Sequence, residues 1–285
     1  MTTVSGSLCC PLCQHSLSLQ TPCGKSLSCD NGHSFDRARQ GYYHLLPVQQ
    51  KRSRDPGDDA AMVNGRQQFL DKGHYQPLSD SINALLLKHL EQPSLQILDC
   101  GCGEGYYSAR LEQSLSDNAW ASELIGVDIS KHAVKAACRR SRTINWLVAS
   151  SRQLPVAPHS QDALLSLFAP VSKTMFTQTL KPSGLLLLAT TGSEHLLQLR
   201  QQIYSQVRQE SHDPLAELAP EFELIEQQSV QYRFMLNDSE SIMQLLGMTP
   251  HQWRADGDAR QRLQQLQQLE LDLDVKLHLL RTNGS

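Results

Sequence analysis

The sequence predicts an α/β protein: a mostly parallel sheet flanked by helices, with a small cysteine-rich module in front of it. Three observations carry that expectation. From Gln96 onward, strand-like and helix-like segments alternate, which calls for parallel strands joined by helical crossovers. Near the C-terminus "LELDLDVKLHL" (269–279) alternates apolar and polar residues, and it can pair with "VQYRF" (230–234) as an antiparallel edge. Residues 9–34 are dominated instead by cysteines and turn formers, with almost no helical periodicity.

Composition sets the bounds. At 285 residues with 40% hydrophobic content, the chain can bury one large core and a smaller one. The expected division is a small cysteine-rich domain over 1–48, a linker and helical lead-in over 49–92, and the large domain over 93–285. No stretch approaches the roughly 18 apolar residues of a membrane helix, and the start lacks the basic-then-apolar pattern of a secretory signal. A cytoplasmic protein is therefore expected. Its eight cysteines are better suited there to metal ligation than to disulfides. Charge is uneven along the chain. Lys25, Arg37, Arg39, Lys51, Arg52 and Arg54 face only Asp30 and Asp36, so residues 1–54 carry +4, leaving −7 for the rest of a chain of net −3. A polyanion is drawn to the first segment.

The elements follow in order. Residues 9–34 read as short hairpins around a metal. "HSFDRARQGYYHLL" suits a short strand or a segment docked on the next domain, and "KRSRDPGDD" is a charged loop broken by Pro56 and Gly57. Helices are expected at about 60–72 and 77–91, the second with Leu85, Leu86 and Leu90 on one face. "ILDCG" is a buried strand ending in a glycine turn, and "YYSARLEQSL" is a helix. "LIGVDIS" is the next strand, with Ser130 placed to cap "KHAVKAACRR". "INWLV", "DALLSLF" and "GLLLLAT" complete the parallel set.

In "LDCGCGEGYY", Gly101, Gly103 and Gly105 stand between a strand and a helix, where bare backbone N–H groups can approach a ligand. The spacing is G-x-G-x-G, neither a dinucleotide fingerprint nor a phosphate loop. Asp128 ends the second strand, placed to accept hydrogen bonds from ribose hydroxyls. With the terminal antiparallel hairpin, this arrangement resembles the class I (Rossmann-like) S-adenosylmethionine-dependent methyltransferases. That resemblance implies Gly101, Gly103, Glu104 and Gly105 around the methionine portion and Asp128 on the ribose. Ser150 and Ser151 stand where relatives often carry an acid for adenine. Cys100, Cys102 and Cys138 have no partners at zinc spacing and read as small buried residues.

The metal candidates are Cys9, Cys10, Cys13, His15, Cys23, Cys29 and His33. Cys10-x2-Cys13 and Cys29-x3-His33 form two close pairs of the kind that hold structural zinc. Cys9 could replace Cys10, but "CPLC" makes the tighter turn, and Cys23 lies alone. Four protein ligands leave no open position for catalysis. The segment has too few apolar residues to fold without the ion.

Taken together, "CPLC", "CDNGHSFDRARQGYYHLLPVQ", "KRSRDPGD", "FLDKGHYQPL", "LDCGCGEGYY" and "MTPHQWRA" resemble the zinc-containing bacterial 23S rRNA guanine-N1-methyltransferases over nearly the whole chain. The resemblance implies methylation of a guanine in a hairpin loop of large-subunit rRNA, of the position 745 type, by a homodimer. It also implies zinc on Cys10, Cys13, Cys29 and His33, and cofactor contacts from Tyr75 and His195. The chain departs from relatives in "FAPVSK", where a Cys often follows the Pro, and in "KPSG". Two other readings compete: a methyltransferase for a small molecule, and a non-catalytic zinc module with a vestigial pocket.

On this reading, the +4 segment with Phe35, Tyr42 and Tyr43 grips RNA by phosphate contacts and stacking, and the −7 remainder binds cofactor on its own. Guanine N1 must lose a proton, so a base or a stabilised enolate is needed. Asp36, Asp58 and His74 are the candidates.

Overall fold

The computed structural model describes residues 7–19, 25–50, 53–92, 94–207 and 214–283; Cys23, Lys51 and Arg52 lie outside them. The N-terminal module holds a three-stranded antiparallel sheet, β1 (Ser18–Leu19), β2 (Ser26–Ser28) and β3 (Ser34–Asp36). The short strand β4 (Tyr43–His44) does not join it. β4 pairs in parallel with β7 at Tyr43↔Leu147 and His44↔Val148, and so forms one edge of the large sheet.

Helices α1 (Ala60–Asp71) and α2 (Gln76–Lys88) lead into that sheet. Asp59 starts α1 by accepting from the backbone N–H groups of Ala61 and Met62 at 2.8 and 2.9 Å. α2 stops at Lys88, before Leu90, because His89 leaves helical geometry. There follow β5 (Ser94–Cys100), α3 (Tyr106–Asp117), β6 (Ala121–Asp128), α4 (Lys131–Arg140), β7 (Asn145–Val148) and β8 (Gln161–Leu167). Ser130 caps α4 as expected, accepting from Ala133 N–H at 3.1 Å. The chain ends with α5 (Lys173–Thr179), β9 (Leu180–Thr191), α6 (Leu197–Ile203), α7 (Pro214–Leu218), β10 (Phe222–Leu236), α8 (Ser239–Met248), α9 (Gly257–Gln265) and β11 (Leu269–Thr282).

The large sheet runs β10-β11-β9-β8-β5-β6-β7-β4, parallel from β9 to β4. β10 and β11 form the expected antiparallel edge, with Tyr232 opposite Leu273. Alternation along the strands divides the core in two. Ile97, Trp146, Leu165 and Leu187 face one side, packed with residues of α1–α4, α6, α8 and α9. Leu98, Ile125, Leu147 and Leu186 face the other, where the partners are Phe176 of α5, Leu218 of α7, and Leu8, Leu17 and Leu27 of the zinc module.

The module therefore occupies the place of a helix on the second face of the sheet. Leu8 bridges Val156, and Leu45 N–H bonds to Val148 O at 2.8 Å. This corrects one part of the RNA-grip expectation. Tyr42 and Tyr43 are 4% and 2% exposed, buried in the cores on the two faces of the sheet, so their rings do not offer faces to a base; Phe35 is partly buried against the second-face core.

Candidate cofactor cavity and metal centre

A cavity of about 1550 Å³ opens at the carboxyl ends of the parallel strands, where open α/β sheets bind ligands. That exceeds the roughly 300–1,000 Å³ of a site for one drug-sized ligand. Its walls come from the glycine loop after β5, Asp128 and Ile129 at the end of β6, Phe168–Val171 after β8, and Thr190–Ser193 with His195 at the end of β9. Tyr75, Ser150 and Ser151 also line it.

Within the loop the three glycines differ. Gly103 (φ 55°) lines the cavity, and a Cβ there would meet nothing nearer than Arg66 Nη1 at 3.7 Å. Gly105 (φ 83°) faces inward: a Cβ would come within 2.8 Å of Trp146 and 2.9 Å of Ala137 Cβ. Gly105 thus serves the packing of α4 and β7 and does not line the cavity. Gly101 lines it while making room for Ala169. Glu104 lies on the wall, but its carboxylate turns onto the Arg140 guanidinium, which also reaches Asp71 at 2.8 Å. Burial holds Glu104 above the usual carboxylate range in spite of that partner.

Asp128 accepts the backbone N–H of Gly103 at 3.0 Å and of Ser130 at 2.7 Å, one on each oxygen. Each oxygen keeps one lone pair for a ligand. Tyr75 is buried, edge-on to Phe69 and Phe234 at centroid distances of 5.5 and 6.1 Å. His195 accepts the Asp274 backbone N–H on Nδ1 at 3.3 Å, which places the ring proton on Nε2. Burial pushes its pKa down to about 4, so the ring is a neutral donor.

Three wall residues were not singled out from the sequence. Asp99, in the cavity wall beneath the loop, accepts Ser108 O–H at 2.5 Å, while its Oδ1 is buried without a partner among the described residues. An orphaned carboxylate oxygen fits an incoming ammonium group. Arg66 pairs with Asp58 at the wall, and Phe168 stands at the end of β8. Of the three candidate bases, Asp58 lines the cavity. Asp36 belongs to β3, and His74 is packed between Phe69 and Phe234 at 5.3 and 5.5 Å; neither reaches the wall.

Burial, with the Asp128 charge adding, raises Asp99 to about 7. Its folded pKa lies above the unfolded value, so between about pH 4 and 7 the native state binds more protons and loses stability as pH rises. Asp99→Asn should therefore raise the melting temperature of the cofactor-free protein at pH 8 and leave it nearly unchanged at pH 4.5. Equal shifts at both pH values would contradict the buried-acid reading.

The second cluster is in the module. Ligand atoms of Cys10, Cys13, Cys29 and His33 all lie within 4.8 Å of one another. Cys13 Sγ is 3.6 Å from Cys29 Sγ, and His33 Nδ1 is 3.4 Å from Cys29 Sγ and 3.5 Å from Cys10 Sγ. Two reverse turns build it: Gln14 N–H to Cys10 O at 2.8 Å, and Gly32 N–H to Cys29 O at 2.9 Å. The His15 backbone N–H points at Cys13 Sγ and lowers that thiol toward thiolate. Three sulfurs and one imidazole converging in this way fit a tetrahedral zinc site. Cys9 and His15 stay outside the cluster, and His15 Nδ1 is 3.2 Å from Cys13 O.

A groove of about 510 Å³ joins the two regions, lined by His44, Arg54, Asp55, Lys131, His132 and Lys135 and sharing Pro56 and Ile129 with the cavity. Asp55 is engaged by His132 Nε2 at 2.8 Å.

Comparison with known proteins follows the same division. Residues 8–54 match the zinc-ribbon family described as RlmA, N-terminal, and residues 97–183 match a methyltransferase domain family. A Streptomyces fradiae protein named 23S rRNA (guanine(748)-N(1))-methyltransferase is 32% identical over 250 residues, 86% of each chain. A Bacillus subtilis (strain 168) protein named "Putative 23S rRNA (guanine-N(1)-)-methyltransferase YxjB" is 30% identical over 275 residues, 94% of each chain. With the zinc cluster and the cofactor cavity in one fold, the chain belongs to the zinc-ribbon 23S rRNA guanine-N1-methyltransferase family.

Proposed function

We propose that the protein transfers the methyl group of S-adenosylmethionine to N1 of a guanine in a hairpin loop of 23S rRNA, with zinc as a structural ion. The observation that carries the RNA substrate is the basic groove. Arg54, Lys131 and Lys135 lie along a track that begins at the cofactor cavity and ends at the zinc module's His44. A small-molecule enzyme needs no such track, whereas phosphate contacts account for it.

In this reading Cys10, Cys13, Cys29 and His33 hold zinc. Tyr75, Gly101, Gly103 and the Glu104 backbone surround the methionine portion, Asp128 receives the ribose, and His195 donates from Nε2. Gly105 shapes the loop from behind. S-adenosylmethionine supplies an activated methyl group, so the chain's own contribution is alignment and exclusion of water. Asp58 is the candidate base for the guanine N1 proton, because of the three it alone lines the cavity, where it is paired with Arg66. An rRNA substrate places the enzyme in the cytoplasm; no helix among the described residues is long and apolar enough to cross a membrane. The homodimer belongs to the same proposal, supported by exposed Leu224 and Met235 on the edge strand β10.

Reverse transcription across a hairpin transcript incubated with protein and S-adenosylmethionine tests the reaction. N1 methylation blocks Watson–Crick pairing and stops extension beside the modified guanine. Absence of a stop, with methyl transfer to a small molecule instead, would replace this reading. The groove is tested separately. Lys131→Glu with Lys135→Glu should weaken hairpin binding at least about tenfold and flatten its salt dependence by roughly 0.7–0.9 in slope for each phosphate no longer neutralised. Cofactor affinity should stay within a few-fold. Unchanged hairpin affinity at two salt concentrations would take the RNA off this track.

A further inference from the structure

Phe168 is an unusual residue at the cavity mouth. It follows β8 directly, lines the cavity, and is 43% exposed as a residue. Its backbone is left-handed at φ 56°, a region that costs a bulky residue free energy and clusters at functional sites. The surroundings enforce this. Phe168 N–H bonds to Ala189 O at 3.1 Å, and the Cβ of the next residue, Ala169, fills the space that a side chain on Gly101 would need. Burial favours turning so large a ring inward. Here the fold holds it outward, beside the glycine loop and 6.5 Å from the Tyr107 ring.

We propose that Phe168 is the platform on which the target guanine stacks as it enters the cavity. The inference rests on the rRNA reading above and names a residue that positions the substrate. β8 lies between β5 and β9 in the sheet, so the residue just beyond it stands between the glycine loop and the wall of Thr190–Ser193 and His195. A base lying flat there presents its edge toward the methionine side. Ala169, Pro170 and Val171 add no hydrogen-bonding side chain, so contact on this wall is through the ring face. Arg152, exposed on the same cavity, and Arg254 on its rim match flanking phosphates in charge. The volume also fits a cofactor and an extruded base together.

The test compares Phe168→Ala, Phe168→Leu and Phe168→Tyr in the full chain, with the hairpin transcript as substrate. The Ala and Leu variants should lose about 10- to 100-fold in kcat/KM for RNA, the range of one base–aromatic stack. The Tyr variant should stay within about threefold, and all three should bind S-adenosylhomocysteine like the parent. A Leu variant as active as the parent would reduce Phe168 to an apolar wall. Parallel loss of cofactor affinity would assign the ring to the cofactor instead. Phe168→Trp adds a readout independent of turnover. Relative to the parent protein, its emission should be quenched by the intact hairpin and not by one abasic at the target position. Equal responses would overturn the stacking even if no methyl group were ever transferred, whereas a parent protein that transfers none while the two responses differ would remove only the functional reading.

Discussion

Gly103→Val should abolish measurable cofactor binding while the protein stays folded. The two halves of that expectation come from one distance. A Cβ at Gly103 meets no protein atom closer than 3.7 Å, so the new side chain enters the cavity without colliding with the fold. The added methyl groups occupy the volume beneath the loop where the methionine portion is proposed to lie. The backbone at φ 55° adds strain of about 1–2 kcal/mol, tolerable for a folded domain. Gly105→Ala is the opposite case. Its Cβ would press on Trp146 at 2.8 Å and on the Ala137 backbone at 3.2 Å, so it should lower the melting temperature before it affects the ligand. Calorimetry with S-adenosylmethionine and thermal melts on both variants measure this. Near-normal affinity in the Val variant would remove the loop from the cofactor site.

The sheet was legible because its signals are local. Strand runs such as "LIGVDIS" and "GLLLLAT" have the period and length of buried parallel strands, and Ser130 announces α4. The clustering of Cys10, Cys13, Cys29 and His33 was legible because two close pairs fix their own geometry. What stayed hidden depends on contacts distant in sequence. Nothing in "GYYHLL" says that Tyr43 pairs with Leu147, so rings expected to meet RNA prove to be buried. Glu104 reads as a loop residue, and only the fold shows Arg140 taking its carboxylate. Phe168 looks like the last residue of an apolar strand; its outward ring follows from a left-handed backbone that the sequence does not encode locally. Asp99 carried a signal, an acid at the end of a buried strand, that could have been read.

Cys29→Ser should lower zinc content from one ion per chain toward zero and destabilise the whole protein rather than its first 50 residues alone. The usual expectation for a zinc knob is local: remove the ion, and the knob unfolds while the enzyme persists. The core contradicts that here. Leu8, Leu17 and Leu27, each at most 2% exposed, belong to the module and pack in one cluster with Leu98, Ile125, Leu147 and Leu164 of the sheet. Each such leucine contributes about 1.5–3 kcal/mol by its burial, against a total stability of about 5–15 kcal/mol for a domain. Losing the ion loosens all three and uncovers the sheet beneath them. β4 would detach from β7 as well, leaving that strand an open edge. The variant should therefore melt earlier, bind a hydrophobic dye, and lose cofactor affinity through the Ser53–Asp58 loop that lines the cavity. For the same reason, a chain shortened to 55–285 should fold poorly, so the RNA-binding role is better tested by charge changes in the full protein. Cys9→Ser should be mild, because its thiol is outside the ligand cluster. Metal analysis, melts and cofactor calorimetry on the Cys29 and Cys9 variants decide the matter. Full zinc occupancy after Cys29→Ser would move the site to another ligand set. An unchanged melting temperature after complete zinc loss would show that the leucines hold the module in place without the ion.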